Sequence, residues 1–159
     1  MKMIWMGLVL AAAAVACSSS DDGGGSSTGV CPKDNPNCRE AATVDQGAQS
    51  VKARNCVQCH QANMAGSKDP IPVQGAGPEV KLYPPNLTSD KATGVGDWTD
   101  EQLAVAIRNG VDNESLQLCP QMKHFSTMSD YEVFSIVKYL RSIPAVSNQV
   151  PASTCPPLK

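Results

Sequence analysis

Aromatic side chains are scarce in this chain, at 4% of its 159 residues. Large rings carry much of a small core's apolar surface, so the chain has a thin core of its own. Histidine is scarcer still: His60 and His124 are the two present. A Cys/His zinc site therefore has few ligands to draw on. An excess of one charge is also lacking, with a formal net charge of −2. That balance argues against a nucleic-acid partner and gives no strong electrostatic steering. The apolar run from Ile4 to Ala16 is too short to span a bilayer. No internal repeat is visible.

The first residues read as an export signal. Met1-Lys2-Met3 is a short charged start, and Ile4 to Ala16 has the length of a signal h-region, with small residues towards its end. It closes on Ala14-Val15-Ala16-Cys17, followed by Ser18-Ser19-Ser20-Asp21-Asp22-Gly23-Gly24-Gly25. A small residue before Cys and a polar tether after it resemble a bacterial lipoprotein signal. That resemblance implies a lipid on Cys17 and a membrane-anchored protein of the periplasm or cell envelope. Ala14 departs from the Leu usual at its position, and an ordinary secretory signal is the alternative. Both place the protein outside the cytoplasm. The chain divides into a signal peptide over 1–16, lipidated Cys17 with a flexible tether over 17–40, and one domain over 41–159.

Cys56-Val57-Gln58-Cys59-His60 carries the chemistry. It has the form C-x-x-C-H, the attachment site of a c-type haem. Two thiols at this spacing each form a thioether to one porphyrin vinyl group, and the adjacent imidazole binds the iron from below. A redox dithiol or half a zinc site shares C-x-x-C but has no need of the following His. The motif occurs once, so one covalent haem c is expected. A haem would also supply the large apolar disc that the side chains do not.

With Cys17 assigned to lipid and Cys56 and Cys59 to haem, Cys31, Cys38, Cys119 and Cys155 remain of the seven. An even remainder in an oxidising compartment suggests two disulfides, with three connectivities open. The turn-rich stretch between Cys31 and Cys38 favours a local loop. Cys119 and Cys155 then form the long-range bridge. Free or intermolecular thiols are the alternative.

The fold class is all-α: helices and loops, with no convincing strand. Residues 43–55 read as a helix leading into the haem motif, with Val44, Ala48 and Val51 on one face. Residues 61–97 are too rich in Pro and Gly for a long helix. Thr99, with Gln102 three positions on, opens the next helix as a capping box, and Gly110 stands at its stop. Ser129 and Glu132 form a second box, ahead of Val133, Ile136, Val137 and Leu140 at helical spacing. Lys138 and Arg141 suit the negative end of the helix dipole, and Pro144 ends the helix.

A helix into C-x-x-C-H, a Pro-rich loop, a middle helix, a Met-bearing loop and a final helix resemble a class I, monohaem cytochrome c. Pro85-Asn86-Leu87-Thr88, Thr93-Gly94-Val95-Gly96-Asp97-Trp98-Thr99-Asp100-Glu101, Arg108-Asn109-Gly110-Val111 and Tyr139-Leu140-Arg141-Ser142-Ile143-Pro144 resemble the cytochrome c subunits of bacterial membrane-bound dehydrogenases. The likeness runs over about residues 44–146 and implies a cytochrome c fold wrapped round one haem. It implies that the Pro85 carbonyl accepts a hydrogen bond from the proximal His60, that Leu87 packs on the haem face, and that Trp98 reaches a propionate. Core filling is the alternative for Trp98. A solvated position on the helix surface is the expectation for Arg108, with propionate pairing as its alternative.

The sixth ligand is a choice among Met64, Met122, Met128 and His124. Met64 is too close to His60 to wrap over the ring, and Met128 stands directly before a helix cap, where packing is expected. Met122 lies in a loop at the ligand position of the resembled family, although Lys123 stands where that family has Pro. His124 keeps a bis-His haem open. The resulting expectation is an electron carrier and not an enzyme, with metal ligands His60 and Met122. Its expected partner is a redox protein such as a dehydrogenase or terminal oxidase. A peroxidase-like haem enzyme or ligand sensor with an open sixth position is the alternative.

Overall fold

The computed structural model describes residues 38–75 and 77–156. The expected signal peptide, Cys17, most of the tether and Cys31 lie outside these residues. Four α-helices carry the body: α1 (Val44–Ala53), α2 (Cys56–His60), α3 (Asp100–Asn109) and α4 (Asp130–Ser142), preceded by a short 3-10 turn at Arg39–Ala41. No strand occurs among the described residues, and pairing is limited to isolated antiparallel bridges. The all-α class expected from sequence is the class observed.

Local chemistry explains the helix ends. The Thr43 hydroxyl accepts from Gln46 N–H at the start of α1. Thr99 and Gln102 form both halves of the expected capping box, and Gly110 closes α3 in the left-handed region at φ 67°. Ser129 caps α4 through Glu132 N–H. The Glu132 side chain does not complete a box, however. It turns away to accept two bonds from Arg54, at 3.0 and 2.9 Å.

Helix α4 is the centre of the body. Val133, Ile136, Val137 and Leu140 are buried as their spacing predicts, together with Phe134 and Ser135. Helix α1 lies against it through Gly47, Ser50 and Val51. Val44 was expected on that face but is 42% exposed. The reason is the close approach of the two helices. A methyl group on Gly47 would fall 1.9 Å from the Ser135 carbonyl oxygen. The buried face is therefore rotated towards the small residues, and Val44 stands at its edge. One apolar cluster joins α1 and α4 around Val51, Met64, Met128 and Phe134. A second holds Val95, Leu103 and Val137, and Leu87 and Ile107 pack against both.

Charged side chains tie the loops to this core. Arg141 sits near the end of α4, but its guanidinium does more than meet the dipole. It donates to Asp100 Oδ1 at 3.1 Å, to the Val95 carbonyl at 2.9 Å and to the Trp98 carbonyl. Arg108 is not a solvated surface residue. Its side chain is 23% exposed and pairs with Asp130 at 2.7 Å. Residues 38–40, assigned to the tether from sequence, pack on the body: Cys38 is fully buried, and Arg39 lies over the Phe134 ring and pairs with Glu101. Beyond α4 the chain continues as an extended strap over residues 143–156, which runs back along the Pro-rich loop.

Candidate functional site

The C-x-x-C-H motif forms α2, a single helical turn. Asn55, in the left-handed region at φ 57°, separates it from α1, and Gln61 at φ 66° turns the chain out of it. Asn tolerates this conformation better than most residues. Cys59 and His60 stand three and four positions after Cys56, so all three share one face of the turn. Among the described residues, Cys56 and Cys59 are the free cysteines. Cys119 and Cys155 are joined as expected. Cys38 is also disulfide-bonded; its expected partner, Cys31, lies outside the described residues.

His60 is 6% exposed. Its Nδ1 lies 3.0 Å from the carbonyl oxygen of Pro85. A carbonyl only accepts, so Nδ1 carries the proton and Nε2 presents its lone pair. Nε2 has no hydrogen-bond partner among the described residues. Burial pushes the pKa of His60 down, against the pull of the Pro85 carbonyl, and so favours the neutral ring. Burial likewise pushes the Cys56 thiol up. A neutral imidazole with one nitrogen committed and the other free, beside two unbridged thiols on the same face, is the donor set a covalent haem requires.

The segment opposite is held in detail. Gly66 N–H donates to the His60 carbonyl at 3.1 Å, and Ser67 N–H to the Pro84 carbonyl at 3.0 Å. Gly66 adopts φ +75°, and a methyl group there would fall 2.4 Å from Pro84 O. Only glycine lets the chain return this closely along Pro84-Pro85. Next in sequence, Asn86 is 2% exposed and fully engaged. Its amide donates to Thr93 Oγ1 at 3.0 Å and to the Val146 carbonyl at 2.7 Å. Its oxygen accepts from Thr88 N–H at 2.9 Å and from the Thr88 hydroxyl at 2.8 Å. Sequence pattern places Asn86 in a motif but assigns it no task. Its partners are up to 60 residues away, and no local pattern reveals them.

The structure thus brings His60 and Pro85 together; Leu87, two residues on, packs on both apolar clusters, and its N–H donates to the Met64 carbonyl at 2.8 Å. Trp98 packs against Val95, Leu103 and Val137, the cluster that Leu87 also meets. Met122 is half-buried in the loop after α3, its N–H bonded to the Cys119 carbonyl at 2.9 Å. Met64 and Met128 are buried in the main core, 1% and 6% exposed. His124 packs on Gly110, where a methyl group would fall 1.9 Å from its Nε2. Among the described residues, Arg108 Nε is a buried donor with no partner.

Residues 42–140 match the family described as cytochrome c oxidase, cbb3-type, subunit III. The chain is similar to a nicotinate dehydrogenase subunit of Pseudomonas putida, at 28% identity over 115 residues, covering 71% of this chain and 10% of that protein. It is similar to the gluconate 2-dehydrogenase cytochrome c subunit of Pantoea cypripedii, at 30% identity, covering 62% and 22% of the two chains. It is also similar to the fructose dehydrogenase cytochrome subunit of Gluconobacter japonicus, at 26% identity, covering 66% and 22%. The chain therefore spans less than a quarter of each of these relatives. It belongs to this family of cytochrome c domains, with a covalent c-type haem as cofactor. Its domain is an electron-transfer haem module.

Proposed function

We propose that this chain is a membrane-anchored electron carrier that accepts electrons from a dehydrogenase and passes them to a further redox protein such as a terminal oxidase. The observation that carries the reading is the His60–Pro85 hydrogen bond beside two free thiols. When bound, the haem supplies one-electron ferric–ferrous chemistry. The rest falls to the chain. Cys56 and Cys59 would hold the group covalently, and His60 and Met122 would ligate its iron. Pro85 fixes the His60 ring and raises its basicity. Leu87 would pack against the bound group and exclude water, and the Trp98 indole N–H would donate to one of its carboxylates. A thioether ligand favours ferrous iron and raises the potential. With His60 and Met122 both on the iron, no site would be left for a substrate, and the chain would carry electrons without being an enzyme. The dehydrogenase partner is supported by the names of the relatives, each of which is a dehydrogenase subunit.

The lipid on Cys17 completes the proposal. Cys17→Ser should release haem-loaded protein from the membrane fraction; retention there contradicts the anchor. Carrier and enzyme are separated by adding carbon monoxide to the ferrous protein at neutral pH. A carrier binds carbon monoxide only weakly and slowly, and rapid stoichiometric binding contradicts it.

A further inference from the structure

We infer that the Cys119–Cys155 bridge is a latch that positions Met122, coupling it through the C-terminal strap to the segments that hold His60. The inference rests on the reading of Met122 as an iron ligand. Cys119 and Met122 are the first and fourth residues of one tight turn, closed by Met122 N–H on the Cys119 carbonyl at 2.9 Å. Pro120 stands second, where its fixed φ suits the turn. The Met122 backbone therefore moves with Cys119. The loop is anchored on either side to the end of α3, by Leu118 N–H on Gly110 O at 2.7 Å and Phe125 N–H on Ile107 O at 3.1 Å. Between these anchors, the covalent tie is the bridge.

The other end of the bridge is not a loose tail. Asn148 donates its N–H to Thr93 Oγ1 at 3.0 Å and its side-chain amide to the Ala65 carbonyl at 2.8 Å. Tyr83 N–H donates to Ser153 Oγ at 2.8 Å. Lys81 and Thr154 exchange backbone bonds at 3.2 and 2.8 Å. Ala65 adjoins Gly66, which is bonded to His60, and Tyr83 adjoins Pro84-Pro85. The strap is thus fastened to the His60 side before it crosses to the Met122 turn. A bridge across a sequence separation of 36 restricts how far that turn departs from the body. Cys155 is exposed, so a dithiol can reach the bridge by exchange. The dithiol is oxidised to its disulfide, and the bridge takes up the two electrons and two protons to give two thiols.

The test uses purified, haem-loaded protein. In the Cys119→Ser/Cys155→Ser variant the haem should remain attached, the ferric sulfur-to-iron charge-transfer band should weaken and the potential should fall. The ferrous protein should bind carbon monoxide about tenfold more tightly, since apparent affinity scales with the fraction of open iron. Wild-type protein treated with dithiothreitol should show the same gain in carbon monoxide affinity, reversed on reoxidation. Asn148→Ala, which keeps the bridge and loosens the strap, should move all three readouts the same way by less, and decides with dithiothreitol if the double variant does not fold. If Met122→Ala abolishes the band while the bridgeless and reduced proteins keep wild-type carbon monoxide affinity, the ligand reading stands and the latch is overturned. If the band survives Met122→Ala, the ligand reading fails and the latch with it.

Discussion

Gly47 faces the Ser135 carbonyl so closely that a methyl group on it would lie 1.9 Å from that oxygen. The obstacle is backbone, with Tyr139 Cβ beside it at 2.7 Å. Neither can swing aside, so α1 and α4 keep their spacing only with glycine at position 47.

Gly47→Ala is accordingly expected to destabilise the protein. Alanine gains up to about 1 kcal/mol in helix propensity. Forcing two packed helices apart costs about 1–3 kcal/mol. The net loss should appear as a lowered denaturant midpoint, with the haem spectrum unchanged. An unchanged or raised midpoint contradicts the packing described for the two helices.

Asn86→Ala should cost about 2–3 kcal/mol, because the buried groups it serves lose their partners. Asn86→Asp separates hydrogen bonding from shape. It keeps the acceptor that Thr88 uses but sets a carboxylate against the Val146 carbonyl, now 2.7 Å from the Asn86 amide. Thermal unfolding at neutral pH should rank wild type above both variants. Equal stability of Asn86→Asp and wild type would show that the donor side of this network has no role.

Acid should loosen the loop after Leu87. The Thr93 hydroxyl and N–H both donate to Asp90 Oδ1 at 2.7 Å. They hold the Asp90 carboxyl below its usual range. A depressed folded pKa contributes stability that is present above the unfolded value, near pH 4, and is lost as pH falls through the folded one. Asp90→Asn should therefore flatten the fall in stability below about pH 4. An identical acid profile in that variant contradicts the assignment.

What was legible in sequence was local. The α4 stripe from Val133 to Leu140 repeats at the helical period, Thr99 and Gln102 announce a cap three residues apart, and C-x-x-C-H is contiguous. Cysteine arithmetic also led to Cys119–Cys155. What escaped depends on partners far along the chain. Glu132 has the spacing of a capping box, yet the Arg54 guanidinium is a stronger partner than one backbone N–H. Arg141 looked like a dipole residue because the Val95 and Trp98 carbonyls it binds are presented only once the loop has folded. Helical spacing puts Val44 on one face with Ala48 and Val51, whereas the interface selects the small side of α1.

Everything proposed for this chain depends on Cys56, Cys59 and His60 carrying a covalent haem. The most direct test is acid–acetone extraction of the purified protein, followed by its pyridine haemochrome spectrum. One haem per chain should stay with the protein and show the spectrum of two thioether links. Cys56→Ala or Cys59→Ala should show a shifted spectrum with one link. Haem that extracts into the organic phase, or wild-type protein made with the haem-attachment machinery present that carries none, would contradict it.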